Sequence, residues 1–432
     1  MNSPEQTIEK YLEFLFSLHN RGIKLGLEKT FEFLKKLGDP HKDLKCFHIA
    51  GSNGKGSTSS FIASILTEAG YKTGLYTSPH FIRFNERIRI NGQPVPDKYI
   101  VQFMQENEKE ITNAGLTFFE VTTCMAFKYF RDQEVDFAVI ETGLGGTYDS
   151  TNVIDPLASI ITSISLEHTN ILGDSLELIA EAKGGIIKAG RPVFLGLLPG
   201  VARGRLMQIA AEKGSKCYFL EEYVNRRGDS IEFYSSELYF DDLTTPLRGN
   251  YQQLNASLAI LALNKVLRFS DNGKILKGIR NVISNSGIQG RFEKVYNKPA
   301  IFLDSAHNVE GIISFLREFV KEKKKHRKNY LLFSSLNDKS TEQMLIESSS
   351  HFDLIYLFEL EGNDRAAKID DLAGLAEKNL IKYQKVTDIK SFIRKFMGAA
   401  EDECLVVYGS MYLVAEVKKV FEKNITVTSF KV

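Results

Sequence analysis

The stretch HIAGSNGKGSTSSF, at residues 48–61, constrains the fold more than any other part of this 432-residue chain. A short apolar run leads into a glycine-dense loop with one lysine, Lys55, and a hydroxyl-rich helix start follows at once. The backbone N–H groups of such a loop and of the first helical turn form a cradle for phosphate oxygens. The periodicity predicts a helix from Ser57 to about Ala69, ended by Gly70.

The loop departs from the common GxxxxGK[ST] spacing, since Ile49 lies six residues before the lysine and Gly56 follows it. The order of strand, loop and helix is nevertheless the one that phosphate binding requires. Lys55 is placed to reach the β and γ phosphates of a nucleotide. The alternative for the same stretch is a plain surface turn.

Strand-like runs followed by helical periodicity recur along the chain, which predicts an α/β fold with a mostly parallel sheet. The clearest runs are CFHIA, YKTGLYT, VDFAVI, LASIITSI, RPVFLG, PAIFLD, NYLLFSS, FDLIYLF and CLVVYGS. Asn91-Gly92 between alternating residues predicts an antiparallel hairpin. The pattern breaks in NSGIQGRFEKVYNKP. We predict a P-loop-type ATPase domain over residues 1–288, a linker over 289–298 and a smaller Rossmann-like α/β domain over 299–432.

Composition narrows the kinds of partner. The 55 Lys and Arg residues nearly cancel the 54 Asp and Glu residues, so no global field attracts nucleic acid or an anionic membrane. The four cysteines are far apart and form no CxxC pair, which disfavours a disulfide framework or a zinc site. No window holds about 18 apolar residues, and the first residues lack a basic and then apolar signal. We expect a cytoplasmic protein whose partners are small molecules.

The loop AGSNGKGST resembles that of the folylpolyglutamate synthase and dihydrofolate synthase family, a branch of the Mur-type amide ligases. Other stretches match the family in order along nearly the whole chain, among them YTSPHFIRFNERIRING (76–92), ETGLGGTYDSTNVI (141–154) and EHTNILGDSLELIAEAKGGIIKAG (167–190). The resemblance implies a ligase that uses ATP to add L-glutamate to dihydropteroate, and to reduced folates, through an acyl phosphate. We expect it to be a monomer. A glutamate-adding enzyme for folates only, a Mur-type peptide ligase and a non-catalytic nucleotide-binding protein remain alternatives.

The resemblance also implies roles for individual residues. Catalysis is assigned to Lys55, Glu141, His168 and Lys183. The nucleotide is assigned to Asn53, Gly54, Lys55, Gly56, Ser57, Thr58, Asn255, Arg291, Asp304 and His307. Two magnesium ions are assigned to Ser57, Ser78, Glu141, His168 and Lys183. The pterin substrate is assigned to Ile23, Gly26, Phe119, Glu120, Thr122, Tyr148, Asp149 and Ser150.

Lys183 is the most informative of these residues. In the family this lysine is carboxylated by carbon dioxide, which turns a cation into an anionic carbamate able to bind metal. The alternative is a lysine whose stem lies on apolar surface and whose head reaches water. The chain departs from the family here, with Ala182 and Gly184 in place of Glu and Ala, and again at Thr147, where the family has arginine.

Several assignments have structural alternatives when the residue is taken alone. A glutamate that opens a glycine loop, as Glu141 does, can simply accept backbone N–H bonds. An isolated His168 after a strand is more often structural, and imidazole is an untypical ligand for Mg²⁺. Arg291 and Asp304 could serve a turn and a helix start. Phe119 has the spacing of a core aromatic.

Overall fold

The computed structural model describes residues 4–22, 26–337 and 339–421. Over the described residues the chain divides into two compact units. The first unit contains Met1–Pro246 and Asn250–Ile288, and the second contains Leu247–Gly249 and Gln289–Val432.

The two units follow the same alternation of strand and helix. The strands are β1 Cys46–Ala50, β2 Thr73–Tyr76, β3 Ile88–Ile90, β4 Gln93–Pro94, β5 Phe137–Glu141, β6 Ala158–Ile161, β7 Val193–Leu195, β8 Cys217–Phe219, β9 Val224–Arg227, β10 Ser230–Tyr234, β11 Tyr239–Phe240, β12 Glu293–Tyr296, β13 Ala300–Leu303, β14 Lys328–Phe333, β15 Leu354–Phe358, β16 Tyr383–Val386 and β17 Glu403–Tyr408. The α-helices are α1 Pro4–Ser17, α2 Glu28–Lys36, α3 Lys55–Glu68, α4 Asp97–Ala114, α5 Phe118–Asp132, α6 Thr169–Leu172, α7 Leu176–Gly184, α8 Gly200–Glu212, α9 Asn250–Leu267, α10 Asn272–Arg280, α11 Val282–Ser286, α12 Val309–Lys323, α13 Thr341–Ser349, α14 Ile369–Lys378, α15 Ile389–Phe396 and α16 Met411–Phe421. Short 3₁₀ turns lie at Leu18–Arg21, Phe84–Arg87, Ser150–Val153 and Leu220–Glu222.

The main sheet of the first unit has the strand order β4-β3-β2-β5-β1-β6-β7-β8. Its six strands from β2 to β8 in this order run parallel, whereas β3 and β4 are antiparallel additions. The whole of β1 and β5 is buried, as expected for parallel strands covered on both faces. Strands β9, β10 and β11 form a separate antiparallel sheet.

The second unit has a six-stranded sheet of order β12-β13-β17-β14-β15-β16. All neighbours are parallel except β12, which is antiparallel to β13. A core rich in phenylalanine lies between this sheet and its helices, with Phe302, Phe315 and Phe319 at its centre. The predicted α/β class, with a mostly parallel sheet in the first part and a smaller α/β domain after it, is confirmed.

Each of the nine runs predicted as strands contains a strand in the structure, and the hairpin at Asn91-Gly92 joins β3 to β4 as expected. Two differences matter. Helix α3 begins at Lys55 rather than Ser57, because Gly54 adopts a left-handed conformation and serves as its N-cap. Part of the segment predicted as a linker, Glu293–Tyr296, forms the edge strand β12 of the second unit.

Candidate active site

Four neighbouring parallel strands, β2, β5, β1 and β6, end at one edge of the sheet, and several of the predicted site residues of the first unit follow them. The glycine loop follows β1, Glu141 ends β5, and the segment leading to His168 follows β6. Ser78 comes shortly after β2. The carboxyl ends of parallel strands are where open α/β sheets place their ligands.

The loop between β1 and α3 is shaped by glycines that no other residue could replace without displacing a neighbour. Gly54 has φ of +87°, and a Cβ there would lie 2.6 Å from Oδ1 of Asn255 in α9. A Cβ on Gly51 would lie 1.9 Å from Oγ1 of Thr162, which follows β6. The loop is therefore enclosed by Asn255 on one side and by the end of β6 on the other. Asn255, predicted from a distant part of the chain, contacts the loop.

Lys55 folds back over this loop. Its Nζ donates hydrogen bonds to the carbonyl oxygens of Gly51 and Ser52, at 2.7 and 3.4 Å. Its charge also lowers the pKa values of Glu167 and Lys183. The ammonium is thus close to the residues after β6 and to α7, as a lysine that serves a phosphate group at this edge should be.

The first turn of α3 supplies the predicted hydroxyls. Ser57 and Thr58 are both buried. Oγ1 of Thr58 is enclosed without a hydrogen-bond partner among the described residues. Ser59, in the next turn, shares this property, so Thr58 is singled out by its place in the first turn of α3, beside the glycine loop.

Glu141 and Ser78 are neighbours, since the Ser78 amide donates to Oε2 of Glu141 at 3.3 Å. Glu141 is only 4% exposed. His168 is half-buried and has φ of +47°, directly before the short helix α6. A left-handed backbone is uncommon for a non-glycine residue, but Asp39 and Leu380, which have no assigned role, adopt it as well.

Lys183 forms a buried ion pair that the sequence did not reveal. Its Nζ lies 2.7 Å from Oε1 of Glu167, with side chains 2% and 3% exposed. Burial lowers the pKa of Lys183, and the Glu167 carboxylate opposes that effect. Burial would raise the pKa of Glu167, but Lys183 and Lys55 hold it well below its usual value. On α7, Ile179, Ala180 and Lys183 are buried, and Leu176 is half-buried.

Two carboxylates assigned to the pterin are used by the fold itself. Asp149 is buried and accepts hydrogen bonds from the amides of Gly143 and Leu144, both at 2.8 Å, and from Thr151. Burial raises its pKa against these hydrogen bonds. Glu120 closes a capping box at the start of α5, where its Oε2 accepts from the amide of Thr117 at 2.7 Å. Contacts from either carboxylate to a pterin stay predictions.

The other residues assigned to the pterin are dispersed around these two. The ring of Phe119 packs on Gly143, where a Cβ would lie 2.4 Å from the ring. Thr122 is buried and its Oγ1 donates to the Phe119 carbonyl oxygen. Tyr148 is 57% exposed, Ser150 is buried at the start of a 3₁₀ turn, and Gly26 has φ of +132°. Ile23 lies outside the described residues.

In the second unit, Asp304 directly follows β13 and holds the turn that carries Arg291. Its two carboxylate oxygens accept from the amides of Phe292 and Ala306, at 2.7 and 2.8 Å. Burial raises the pKa of Asp304 to about 6, against the Arg291 charge and these two hydrogen bonds. His307 is two residues from Ser305, whose carbonyl oxygen lies 2.8 Å from Nδ1 of the imidazole. The three predicted nucleotide residues of this unit thus lie around one turn.

Comparison with known proteins identifies the family. Residues 49–263 match the Mur ligase middle domain and residues 290–411 the Mur ligase glutamate ligase domain. The chain is 34% identical over 430 residues to the dihydrofolate synthase/folylpolyglutamate synthase of Bacillus subtilis, covering 93% of this chain and 97% of that one. It belongs to the dihydrofolate synthase/folylpolyglutamate synthase family of Mur ligases. It is therefore an ATP-dependent ligase.

Solved structures of this ligase family share the fold over nearly the whole chain. Escherichia coli FolC in complex with DHPP and ADP has a TM-score of 0.86 and 29% identity, covering 97% of this chain and 99% of that one. A bifunctional folylpolyglutamate synthase/dihydrofolate synthase with Mn, AMPPNP and L-glutamate bound has a TM-score of 0.81 and 28% identity, covering 95% and 97%. No helix within residues 4–22, 26–337 and 339–421 is long and apolar enough to cross a bilayer.

The donor groups of the ligase fit a hard cation that keeps part of its coordination for water and phosphate. Among the described residues, no cluster of three or more His, Cys, Asp or Glu side chains could hold a metal by itself. Mg²⁺ is usually bound through one or two carboxylates plus substrate phosphates. Glu141, Ser57 and Ser78 carry oxygen donors, which is the kind of ligand that Mg²⁺ prefers.

Sequence reasoning missed the residues that hold the site in place. Glu167, the partner of Lys183, directly precedes His168 in the segment that follows β6. Its position beside a predicted site residue was the signal in the sequence that could have identified it. Ser52, Thr162 and Ser163 hydrogen-bond around the glycine loop. Their short polar side chains carried no signal of their own in the sequence.

Proposed function

We propose that this ligase joins L-glutamate to dihydropteroate, and to reduced folates, with conversion of ATP to ADP and phosphate. The observation that carries the proposal is the meeting of the Lys55 loop, Glu141 and the Glu167–Lys183 pair at one edge of a parallel sheet. The family's members bind DHPP, ADP and L-glutamate in their solved structures. Dihydropteroate and folates both carry the free carboxylate that such a reaction consumes.

The chemistry requires an activated carboxyl group. A carboxylate oxygen of the pterin substrate attacks the γ phosphorus of ATP, which gives an acyl phosphate and ADP. The neutral amine of L-glutamate then attacks the acyl carbon, an amide bond forms and phosphate leaves. When ATP binds, Lys55 gives up its hydrogen bonds to the carbonyl oxygens of Gly51 and Ser52 and donates to phosphate oxygens instead. Its positive charge then offsets the negative charge of the phosphates. Such catalysis depends on positioning and electrostatics.

We propose magnesium as the metal, held by Ser57, Ser78, Glu141 and His168. When bound, the ion neutralises phosphate charge and orients the γ phosphoryl group. The Ser78 amide donates to Oε2 of Glu141 at 3.3 Å, which helps to orient the carboxylate. Thr58, with its unsatisfied buried hydroxyl, is a further candidate in the first turn of α3.

We also propose that Lys183 is carboxylated in the loaded enzyme. A carbamate on Nζ would place an anion beside Glu167, so the modification is expected only when bound metal supplies the compensating charge. The free protein keeps the ion pair. Carbon-13 NMR with labelled bicarbonate should show a carbamate signal with Mg-ADP, and none without it. Absence of the signal in both states, or full activity of Lys183→Ala, would remove the modification from the proposal.

The decisive assay measures phosphate release from ATP with L-glutamate plus either dihydropteroate or tetrahydrofolate. Release with both indicates a bifunctional enzyme, and release with tetrahydrofolate alone indicates the monofunctional alternative. Lys55→Ala and Glu141→Ala should each lower kcat by about a hundredfold or more. Lys36→Ala, an exposed lysine paired with Glu110, is the control and should retain the parent rate. Release with neither pterin would contradict the proposed function.

The proposal extends to a monomer that acts in the cytoplasm. Free thiols at Cys46, Cys124 and Cys404, all buried, are compatible with a reducing compartment. Light scattering of the purified protein would test the assembly state, and a mass near twice 48.7 kDa would contradict a monomer.

A further inference from the structure

Asn53, in the glycine loop, has both of its backbone groups held by hydroxyls that follow β6. Its amide donates to Oγ of Ser163 at 2.8 Å. The same Ser163 hydroxyl donates back to the Asn53 carbonyl oxygen at 2.9 Å, and Oγ1 of Thr162 donates to that oxygen at 2.6 Å. We call Thr162 and Ser163 the Asn53 clamp.

The neighbouring residue Ser52 is tied to the same segment. Its amide donates to the Ser163 carbonyl oxygen at 2.9 Å. Its hydroxyl donates to the Ser165 carbonyl oxygen at 3.1 Å and accepts from the Ser165 amide at 3.0 Å. The loop between β1 and α3 is therefore held at two successive residues by the segment that follows β6.

This fixation matters because a glycine-rich loop has much conformational freedom to lose. Gly51 and Gly54, on either side of Ser52 and Asn53, both have positive φ, which leaves the loop weakly determined by its own backbone. If phosphate binding had to order the loop, the cost of that ordering would lower the affinity. A loop that is already held in its binding conformation avoids this cost. The Asn53 clamp supplies side-chain hydrogen bonds where the glycines supply none.

We propose that Ser163 is a positioning residue for nucleotide binding, which acts by holding Asn53 so that the loop is ready for the phosphates. The inference rests on the proposed function, in which the Lys55 loop binds ATP. It assigns a role to a residue that does not itself lie in the loop. Ser163 acts through Asn53 and is not a catalytic residue.

The test compares Ser163→Ala with Ser59→Ala by calorimetric titration with Mg-ADP and with AMP. Ser59 is also buried, lies in α3, and its hydroxyl has no hydrogen-bond partner among the described residues. Loss of two hydrogen bonds to Asn53 should weaken Mg-ADP binding about five- to tenfold in Ser163→Ala. AMP, which lacks the β phosphate, should bind as to the parent. Ser59→Ala should bind both ligands as the parent does.

Unchanged or tighter Mg-ADP binding by Ser163→Ala would overturn the inference, as would equal weakening for AMP, because the effect would then not pass through the phosphate loop. Thr162→Val, which removes the other hydroxyl on the Asn53 carbonyl oxygen, provides a second variant and should weaken Mg-ADP binding in the same direction. Lys55→Ala separates the two proposals. If Lys55→Ala leaves Mg-ADP binding intact, the proposed function fails. If Lys55→Ala weakens Mg-ADP binding and Ser163→Ala does not, only the proposed role of Ser163 fails.

Discussion

The ion pair between Lys183 and Glu167 combines two charges that are almost completely removed from water. Each ion loses its hydration, and their mutual attraction offsets that cost only while both are present. Glu167→Leu should therefore lower the free energy of unfolding by about 3–5 kcal/mol, measured by urea denaturation of the free protein, because it leaves an unpaired buried ammonium. The double variant Glu167→Leu, Lys183→Met should recover most of the loss.

An exposed pair provides the matched control. Lys298 and Glu401 are 2.9 Å apart, with side chains 69% and 72% exposed. Glu401→Leu should change the free energy of unfolding by less than about 1 kcal/mol. If Glu167→Leu were equally mild, the Lys183 head would have to reach water, which is the snorkelling alternative that the sequence left open.

The raised pKa of Asp304 predicts a pH dependence of stability. A carboxyl whose pKa is about 6 in the folded state and near its usual 3.8 in the unfolded state binds more protons when folded. Its contribution is complete below pH 4 and is lost as the pH rises through 6. The loss amounts to roughly 3 kcal/mol. Denaturation between pH 4 and 7 should show this decline in the parent and a flatter profile in Asp304→Asn. Parallel profiles would contradict the assignment.

Residues that belong to a recognisable motif could be predicted from the sequence. Residues whose role is to hold other residues in position could not. Lys55, Glu141 and Asn255 were placed by motif, and the structure brings them to one edge of the first sheet. The roles of Glu167 and Ser163 were not predicted, because they depend on contacts with residues 16 and 110 positions away in the chain. Asp149 and Glu120 have the chemistry that a pterin site needs, yet their hydrogen bonds inside the fold follow from local turns.

At the scale of the element, α5 carries the segment assigned to the pterin and depends on its capping box. Thr117 accepts from the Glu120 amide, and Glu120 accepts from the Thr117 amide and hydroxyl. Thr117→Ala should lower the free energy of unfolding by about 1 kcal/mol, seen as a lower midpoint in denaturant. Thr117→Ser, which keeps the hydroxyl, is the control. Glu120→Ala, which removes the acceptor oxygens, then separates the two roles: a loss of stability without a change in dihydropteroate affinity indicates capping alone.

The strands that the sequence predicted are those with long apolar runs, such as β1, β5, β14 and β17, which lie inside their sheets. Among the edge strands, β4 was predicted through its Asn91-Gly92 turn, whereas β8, β12 and β16 were missed. Strand β16, Tyr383–Val386, is mostly solvent-facing, and β12 lies in the segment predicted as a linker. An edge strand buries little apolar surface, and its pairing with a partner distant in sequence leaves no local periodicity to detect.

For the whole molecule, the division into units does not follow the chain order completely. Leu247–Gly249 belongs to the second unit although first-unit residues flank it on both sides. Within the second unit, the Arg248 guanidinium lies 5.4 and 5.3 Å from the ring centroids of Phe292 and Phe302. Its Nη1 lies 3.2 Å from Oε2 of Glu322. Arg248 therefore stabilises a core to which no sequence pattern assigns it.

A similar arginine in the first unit provides the comparison. Arg203 lies over the ring of Phe219 at 4.2 Å and pairs with Glu221. Each arginine combines a cation–π contact with an ion pair, worth about 1 kcal/mol together. Removing either one should accelerate amide hydrogen exchange about fivefold in the unit that contains it, provided that each unit opens separately.

Hydrogen exchange mass spectrometry can locate this effect along the chain. Arg248→Ala should accelerate exchange in β13 and β14 and leave β7 and β8 unchanged, whereas Arg203→Ala should do the reverse. Acceleration of exchange in all four strands by either variant would mean that the two units open together. The assignment of Leu247–Gly249 to the second unit would then not correspond to a separate unfolding unit. The contrast is informative because residues 246–250 are continuous in sequence, so chain proximity alone would predict that Arg248→Ala affects the first unit.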